Sequence, residues 1–161
     1  MGVEPIAVAV TIAIWALLLY LQRSLPLPVM RLSPGWRWGL SLLFLADGLG
    51  TLLWSAFTLA KANRGNKLAD TGPYALVRHP MYGTVLWSGT AVVAFAFHSW
   101  LVLPGVVPLH LCWIWLVQHE EQELIRRFGA AYIQYAQETG QFLPRLTSLK
   151  KVAQGTDDLE S

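Results

Sequence analysis

The chain has 161 residues, 54% of them hydrophobic and only 14% charged, whereas an ordinary soluble domain carries about a quarter charged residues, so water is not its main solvent. A net charge of +2, with the basic residues set between apolar blocks rather than along a stripe, argues against a nucleic-acid partner. Cys112 is the single cysteine, which leaves neither a disulfide framework nor a CxxC zinc site.

In chain order, Pro5 to Gln22 is free of formal charge and bounded by Arg23, long enough to span roughly 27 Å as a helix. It lacks the basic start and small-residue cleavage signal of a secretory leader, so it reads as a retained helix. A loop with Pro26, Pro28, Pro34 and Gly35 follows. The second apolar block runs from Trp38 to Ala60, with Asp47 as its only charge. From Met81 to Gln118 there is no Asp, Glu, Lys or Arg. One straight helix of that length would extend about 57 Å, nearly twice a hydrocarbon core, so the chain must turn back. His98 and Ser99 mark the turn. Pro104 and Pro108 suit a hairpin and a kinked or late-starting fourth helix.

The expected fold is therefore an all-α integral membrane protein with about four transmembrane helices, approximately 5–22, 38–60, 81–97 and 100–118. The last two form a hairpin, a C-terminal helical extension follows, and 1–146 make a single domain. The hairpin puts the loop 61–78 and everything after Gln118 on one face. That face carries Lys61, Arg64, Lys67, Arg78, Arg126, Arg127, Arg145, Lys150 and Lys151, against Arg23, Arg31 and Arg37 opposite, which the positive-inside rule reads as cytoplasmic. Thr147–Ser161 is polar, lacks aromatics and reads as a mobile tail.

The informative polar residues lie on that face. They read Asp70-Thr-Gly-Pro-Tyr-Ala-Leu-Val-Arg-His-Pro-Met-Tyr82, then Glu120-Glu-Gln-Glu-Leu-Ile-Arg-Arg-Phe-Gly129, then Tyr132-Ile-Gln-Tyr135 and Thr139-Gly-Gln-Phe-Leu-Pro144. Pro80 at the start of the third helix leaves Arg78 and His79 beside its first unsatisfied N–H groups, a place that attracts anions. Arg78 and His79 as plain interfacial anchors is the competing reading.

The Arg-His-Pro-x-Tyr element, the Glu-Glu pair closing the last span and the Phe-Gly-x-x-Tyr-x-x-Tyr run ending near Leu-Pro resemble the isoprenylcysteine carboxyl methyltransferase and phospholipid methyltransferase superfamily of integral membrane enzymes. The resemblance covers roughly Asp70 to Pro144. One departure is that Gly83 follows Tyr82 directly and Thr84 stands where the family usually has glycine. The resemblance implies an S-adenosylmethionine-dependent methyltransferase, with the cofactor (S-adenosylhomocysteine after transfer) between the last two spans and the cytoplasmic segments. Arg78, His79 and Tyr82 match its catalytic motif, and His79, Tyr82, Glu120 and Glu121 its cofactor-binding positions. It implies no metal. The acceptor would be a lipophilic or lipid-attached substrate: a prenylcysteine carboxylate, an amine lipid or a thiol. The alternatives are a membrane reductase of the sterol reductase type using NADPH, which shares a related arginine-proline-tyrosine element but is generally larger, and a non-catalytic membrane adaptor.

Helix geometry separates the carboxylates, given a helix continuing from Trp113 through Gly129. Glu121 falls about 40° from the centre of the apolar stripe, Glu120 about 60° and Glu123 about 120°. Glu123 has Arg126 and Arg127 at ion-pair spacing. Glu121 has no such local partner, and needs either a ligand or a loop residue such as Arg78 or Lys67. Asp47 is costly in hydrocarbon unless protonated, paired or functional. Gly48 and Gly50 are similar to a glycine pair of the phospholipid branch, but Ala46 and Gly50 equally permit close helix packing, the preferred reading. His98 and His110 read as hairpin or packing residues.

Overall fold

A computed structural model of the chain describes residues 4–149. Lys150 and Lys151 of the charge count, and the tail from Lys150 onward, lie outside the described residues. The described residues are helical, with two isolated β-bridges and no strand. The helices are α1 (Glu4–Ser24), α2 (Pro34–Arg64), α3 (Pro73–Leu76), α4 (Pro80–Thr84), a π-helical turn (Val85–Gly89) running into α5 (Thr90–Ala96), α6 (Val106–Leu116), α7 (Gln118–Phe128) and α8 (Ala130–Glu138). Two of them, α1 from Pro5 and α2, are long and apolar enough to cross a membrane, and their apolar side chains are mostly exposed. Outward-facing Ile6, Ile12, Leu42, Leu53, Phe57 and Trp115 would be costly against water and suit lipid.

The described residues form two compact units, those within Met1–Leu49 and Thr84–Glu120, and those within Gly50–Gly83 and Glu121–Ser161. In the first, polar side chains tie apolar helices together. Thr11 is fully buried and accepts a hydrogen bond from Nε1 of Trp113 at 2.9 Å, and Trp15 donates to Thr90. Gln22, at the end of α1, organises the reversal between α5 and α6: its Oε1 accepts from the Ser99 hydroxyl and the Leu101 amide, both at 3.1 Å. These bonds hold 97–105 in turns, so the fourth helix starts at Val106 rather than near residue 100. His98 sits there with φ 57°, and Arg37 bonds its Nδ1 at 3.1 Å, in keeping with a hairpin residue.

Asp47 has a partner on the π-helical turn, the Ser88 hydroxyl, at 2.7 Å. Beside it Gly48 makes the close helix approach: a Cβ there would lie 3.2 Å from that of Ser88 and 3.3 Å from the Thr84 methyl. The packing expected of Ala46 and Gly50 is not found. Gly50 has no described atom within 4 Å of a Cβ position and Ala46 is exposed, because the close approach falls at Gly48, two residues away and so about 160° round the helix.

The second unit holds the polar segments. Gly129 adopts φ 56°, ψ −130°, a backbone open essentially to glycine. It breaks the helix between α7 and α8. The expected continuous helix through Gly129 is therefore corrected: Tyr132 and Tyr135 do not share the phase of α7, and a second break stands at Val117. The described start of the tail is docked rather than loose. Thr147–Leu149 form a helical turn and Ser148 is buried, its hydroxyl donating to the Arg145 carbonyl at 2.8 Å.

Candidate functional site

The site is built on a short extended segment, Val77 to His79, between α3 and α4. Val77 has β backbone angles, and Pro80 disfavours a helical conformation for His79 before it. Extended backbone leaves N–H groups unpaired within the segment, and they find partners in the residues after α8. Val77 and Gly140 form a parallel bridge. The Arg78 amide donates to the Gly140 carbonyl at 2.8 Å, and that of His79 to Gln141 at 3.0 Å. Gly140 admits no side chain here, since a Cβ would run into the Leu143 carbonyl.

This pairing brings Arg78, His79 and Gln141 onto Glu121 at the start of the second unit's share of α7. The Glu121 Oε1 accepts from Arg78 Nε at 2.9 Å, Gln141 Nε2 at 3.1 Å and His79 Nε2 at 3.2 Å. Its Oε2 accepts from no described residue. Arg78 also donates through Nη1 to the carbonyls of Ala136 and Thr139, at 2.9 and 2.6 Å. Carbonyls at a helix C-terminus lack intrahelical partners and carry partial negative charge, so Arg78 caps α8 while it pairs with Glu121. Its Nη2 has no partner among the described residues.

Burial opposes ionisation of Glu121, but the hydrogen bonds of His79 and Arg78, the charge of Arg78 and the amide of Gln141 outweigh it. Its pKa falls from 4.5 to about 2. The side chain stays ionised, and with Arg78 it forms a pair only 19% and 9% exposed. His79, buried, stacks on Tyr82 with ring centroids 5.6 Å apart and lies 5.8 Å from the ring of buried Phe142. Behind the pair, the Tyr135 hydroxyl donates to the Tyr74 carbonyl at 2.7 Å. Burial, with Tyr132 beside it, raises its pKa well above the ordinary phenol range, so it remains a donor.

Of the residues singled out in the sequence, Arg78, His79, Tyr82 and Glu121 come together. The partner of Glu121 is Arg78, the loop pairing left open by the helical-wheel argument. Glu120 falls in the first unit, half-buried, and the cluster described does not include it. Glu123 is exposed, and Arg127 reaches the Asn66 side chain at 2.6 Å. Gln141 and the C-terminal carbonyls of α8 had no assigned part. The usable signal was Gly140-Gln141 directly after α8, a glycine fixing backbone beside an uncharged donor.

The family model described as phospholipid methyltransferase matches residues 37–131, more than half of the chain, from the start of α2 into α8. Neither curated proteins nor solved structures gave a match.

Proposed function

Because the chain belongs to the phospholipid methyltransferase family, a family of membrane methyltransferases, we propose that it uses S-adenosylmethionine to methylate an acceptor held in the bilayer, at a site made by Arg78, His79, Tyr82 and Glu121. The observation that carries this reading is the Glu121 carboxylate, with one oxygen taken by three donors and the other open among the described residues. An ionised, half-buried carboxylate keeping a free oxygen suits a cationic or hydroxyl-bearing ligand.

The donor set fits the cofactor. Its amino-acid end carries an ammonium and a carboxylate, which match the open oxygen of Glu121 and the uncommitted Nη2 of Arg78. The half-buried ring of Tyr82, backed by His79, offers a face for adenine or a sulfonium. S-adenosylmethionine, when bound, supplies a methyl group already activated on sulfur, so the protein's work is positioning and exclusion of water. Phe142 shields His79 for that purpose. A carboxyl held at about 2 is too weak a base to take a proton from an ammonium, so Glu121 binds rather than deprotonates.

In this reading α1, α2, the stretch from α4 through α5, and α6 are the four spans of a single membrane domain, with the site on the cytoplasmic face. The family's description favours a lipid acceptor, the amine headgroup among the classes considered above. Isothermal titration of the purified protein with S-adenosylhomocysteine, and separately with NADPH, tests the reading. Binding of the first alone supports it, binding of NADPH alone turns it to a reductase, and binding of neither to an adaptor.

A further inference from the structure

We propose that Gln141 is a positioning residue of this site: its side-chain amide fixes the Glu121 carboxylate so that Oε2, and not Oε1, is presented to the ligand. The inference rests on the reading of the site as a cofactor site and adds to it a residue to which the resemblance assigned no role and which lies outside residues 37–131 matched by the family model.

A carboxylate on a flexible side chain can exchange its two oxygens by rotation. Arg78 alone could be met through either oxygen, and so could His79. Three donors converging on Oε1, from Arg78, His79 and Gln141, occupy the places it has for hydrogen bonds and leave Oε2 as the acceptor still available. Two of them come from the 77–79 segment; Gln141 comes from the chain after α8, and so closes the set from a separate part of the sequence. The amide must turn its nitrogen, not its oxygen, toward the carboxylate. Being neutral, it adds a donor without adding a second cation that would offset the attraction of Glu121 for a positively charged ligand.

The register is set by backbone. The bonds from Arg78 to Gly140 and from His79 to Gln141 place Gln141 level with the residues it works beside, and the Leu143 carbonyl forbids a side chain at Gly140. A slip of one residue would bring glycine or Phe142 to this position and remove the donor.

The test is isothermal titration of the full chain in detergent with S-adenosylhomocysteine, comparing wild type, Gln141→Met and Gln141→Glu. Gln141→Met keeps length and removes the donor; we expect binding about fivefold weaker at neutral pH, with KM for S-adenosylmethionine raised in proportion and kcat nearly unchanged. Gln141→Glu sets two carboxylates together, so it should bind weakly at pH 8 and regain affinity toward pH 5, as the new carboxyl takes up a proton and donates again. The titratable groups around Glu121 are Arg78 and His79 in contact with it, Tyr135 on α8, and Glu120 and Glu123 on α7. All are present in the wild type, whose own pH profile is the control for them. Wild-type affinity in Gln141→Met overturns the proposal. If that variant fails to fold, a Gln141→Glu profile parallel to the wild type overturns it instead. Absence of binding by the wild type removes the cofactor site itself, and is recognised before any variant is measured.

Discussion

Arg78 and Glu121 are separated by 43 residues in the chain, yet Nε of one lies 2.9 Å from Oε1 of the other. The same guanidinium holds the Ala136 and Thr139 carbonyls, so Arg78 joins the start of α4, α7 and the end of α8. Arg78→Ala should therefore cut methyl transfer strongly and also destabilise the second unit, by about 3 kcal/mol for a broken, largely buried pair. Arg78→Lys should fall between, since an ammonium cannot reproduce the planar fork. Thermal unfolding in detergent together with turnover would check this; near-normal turnover in Arg78→Ala would remove the residue from the site.

The three carboxylates of α7 should separate in order. Glu121→Gln is expected to weaken S-adenosylhomocysteine binding at least tenfold, about 1.4 kcal/mol. Glu120→Gln should have an intermediate effect, and exposed Glu123→Gln almost none. Titration of each variant, after its elution profile has been matched to the wild type, measures the order. A Glu123 variant that loses binding while the Glu121 variant retains it would contradict the site.

Acid should reveal the Glu121 network. Its carboxyl has a lower pKa folded, about 2, than its ordinary 4.5, so the unfolded chain binds the proton more readily. The stability it contributes is complete above pH 4.5 and is lost as the pH falls toward 2. The difference in melting temperature between wild type and Glu121→Gln should be constant at neutral pH and shrink across that window. A difference that stays constant down to pH 2 would mean that the carboxylate is not held as described.

Gly140→Ala should be among the most damaging small substitutions in the chain. The added methyl would meet the Leu143 carbonyl, and relief requires moving the segment that pairs with Arg78 and His79. Expected outcomes are a lower melting temperature and loss of S-adenosylhomocysteine binding together. Gly50→Ala, where no described atom lies within 4 Å, is the neutral control.

Orientation can be read by cysteine labelling in a Cys112→Ala background. Single cysteines at Asn66 and Gln137, both exposed, should react with a membrane-impermeant maleimide only once the cytoplasmic face is opened, and one at Ser33 from outside. Labelling of Asn66 and Gln137 from opposite faces would refute the shared cytoplasmic face.

The sequence by itself determined the helical class, the apolar blocks and the residues of the Arg-His-Pro-x-Tyr and Glu-Glu elements, because helix period, charge exclusion and proline placement are properties of neighbours along the chain. It also located the two long apolar helices to within about four residues at each end. Only the tertiary structure decided what each polar group meets. Nothing local announces that Gln22 will bind Ser99, that Gly48 rather than Gly50 will make the close approach, or that Gly129 will break the helix on which the carboxylate wheel was drawn. For Glu121 the wheel gave a place near the centre of the apolar stripe and left the partner open between a ligand and a loop residue such as Arg78 or Lys67. Its partners come from residues 78, 79 and 141, and their meeting depends on backbone hydrogen bonds between two segments that become neighbours only when the chain is folded.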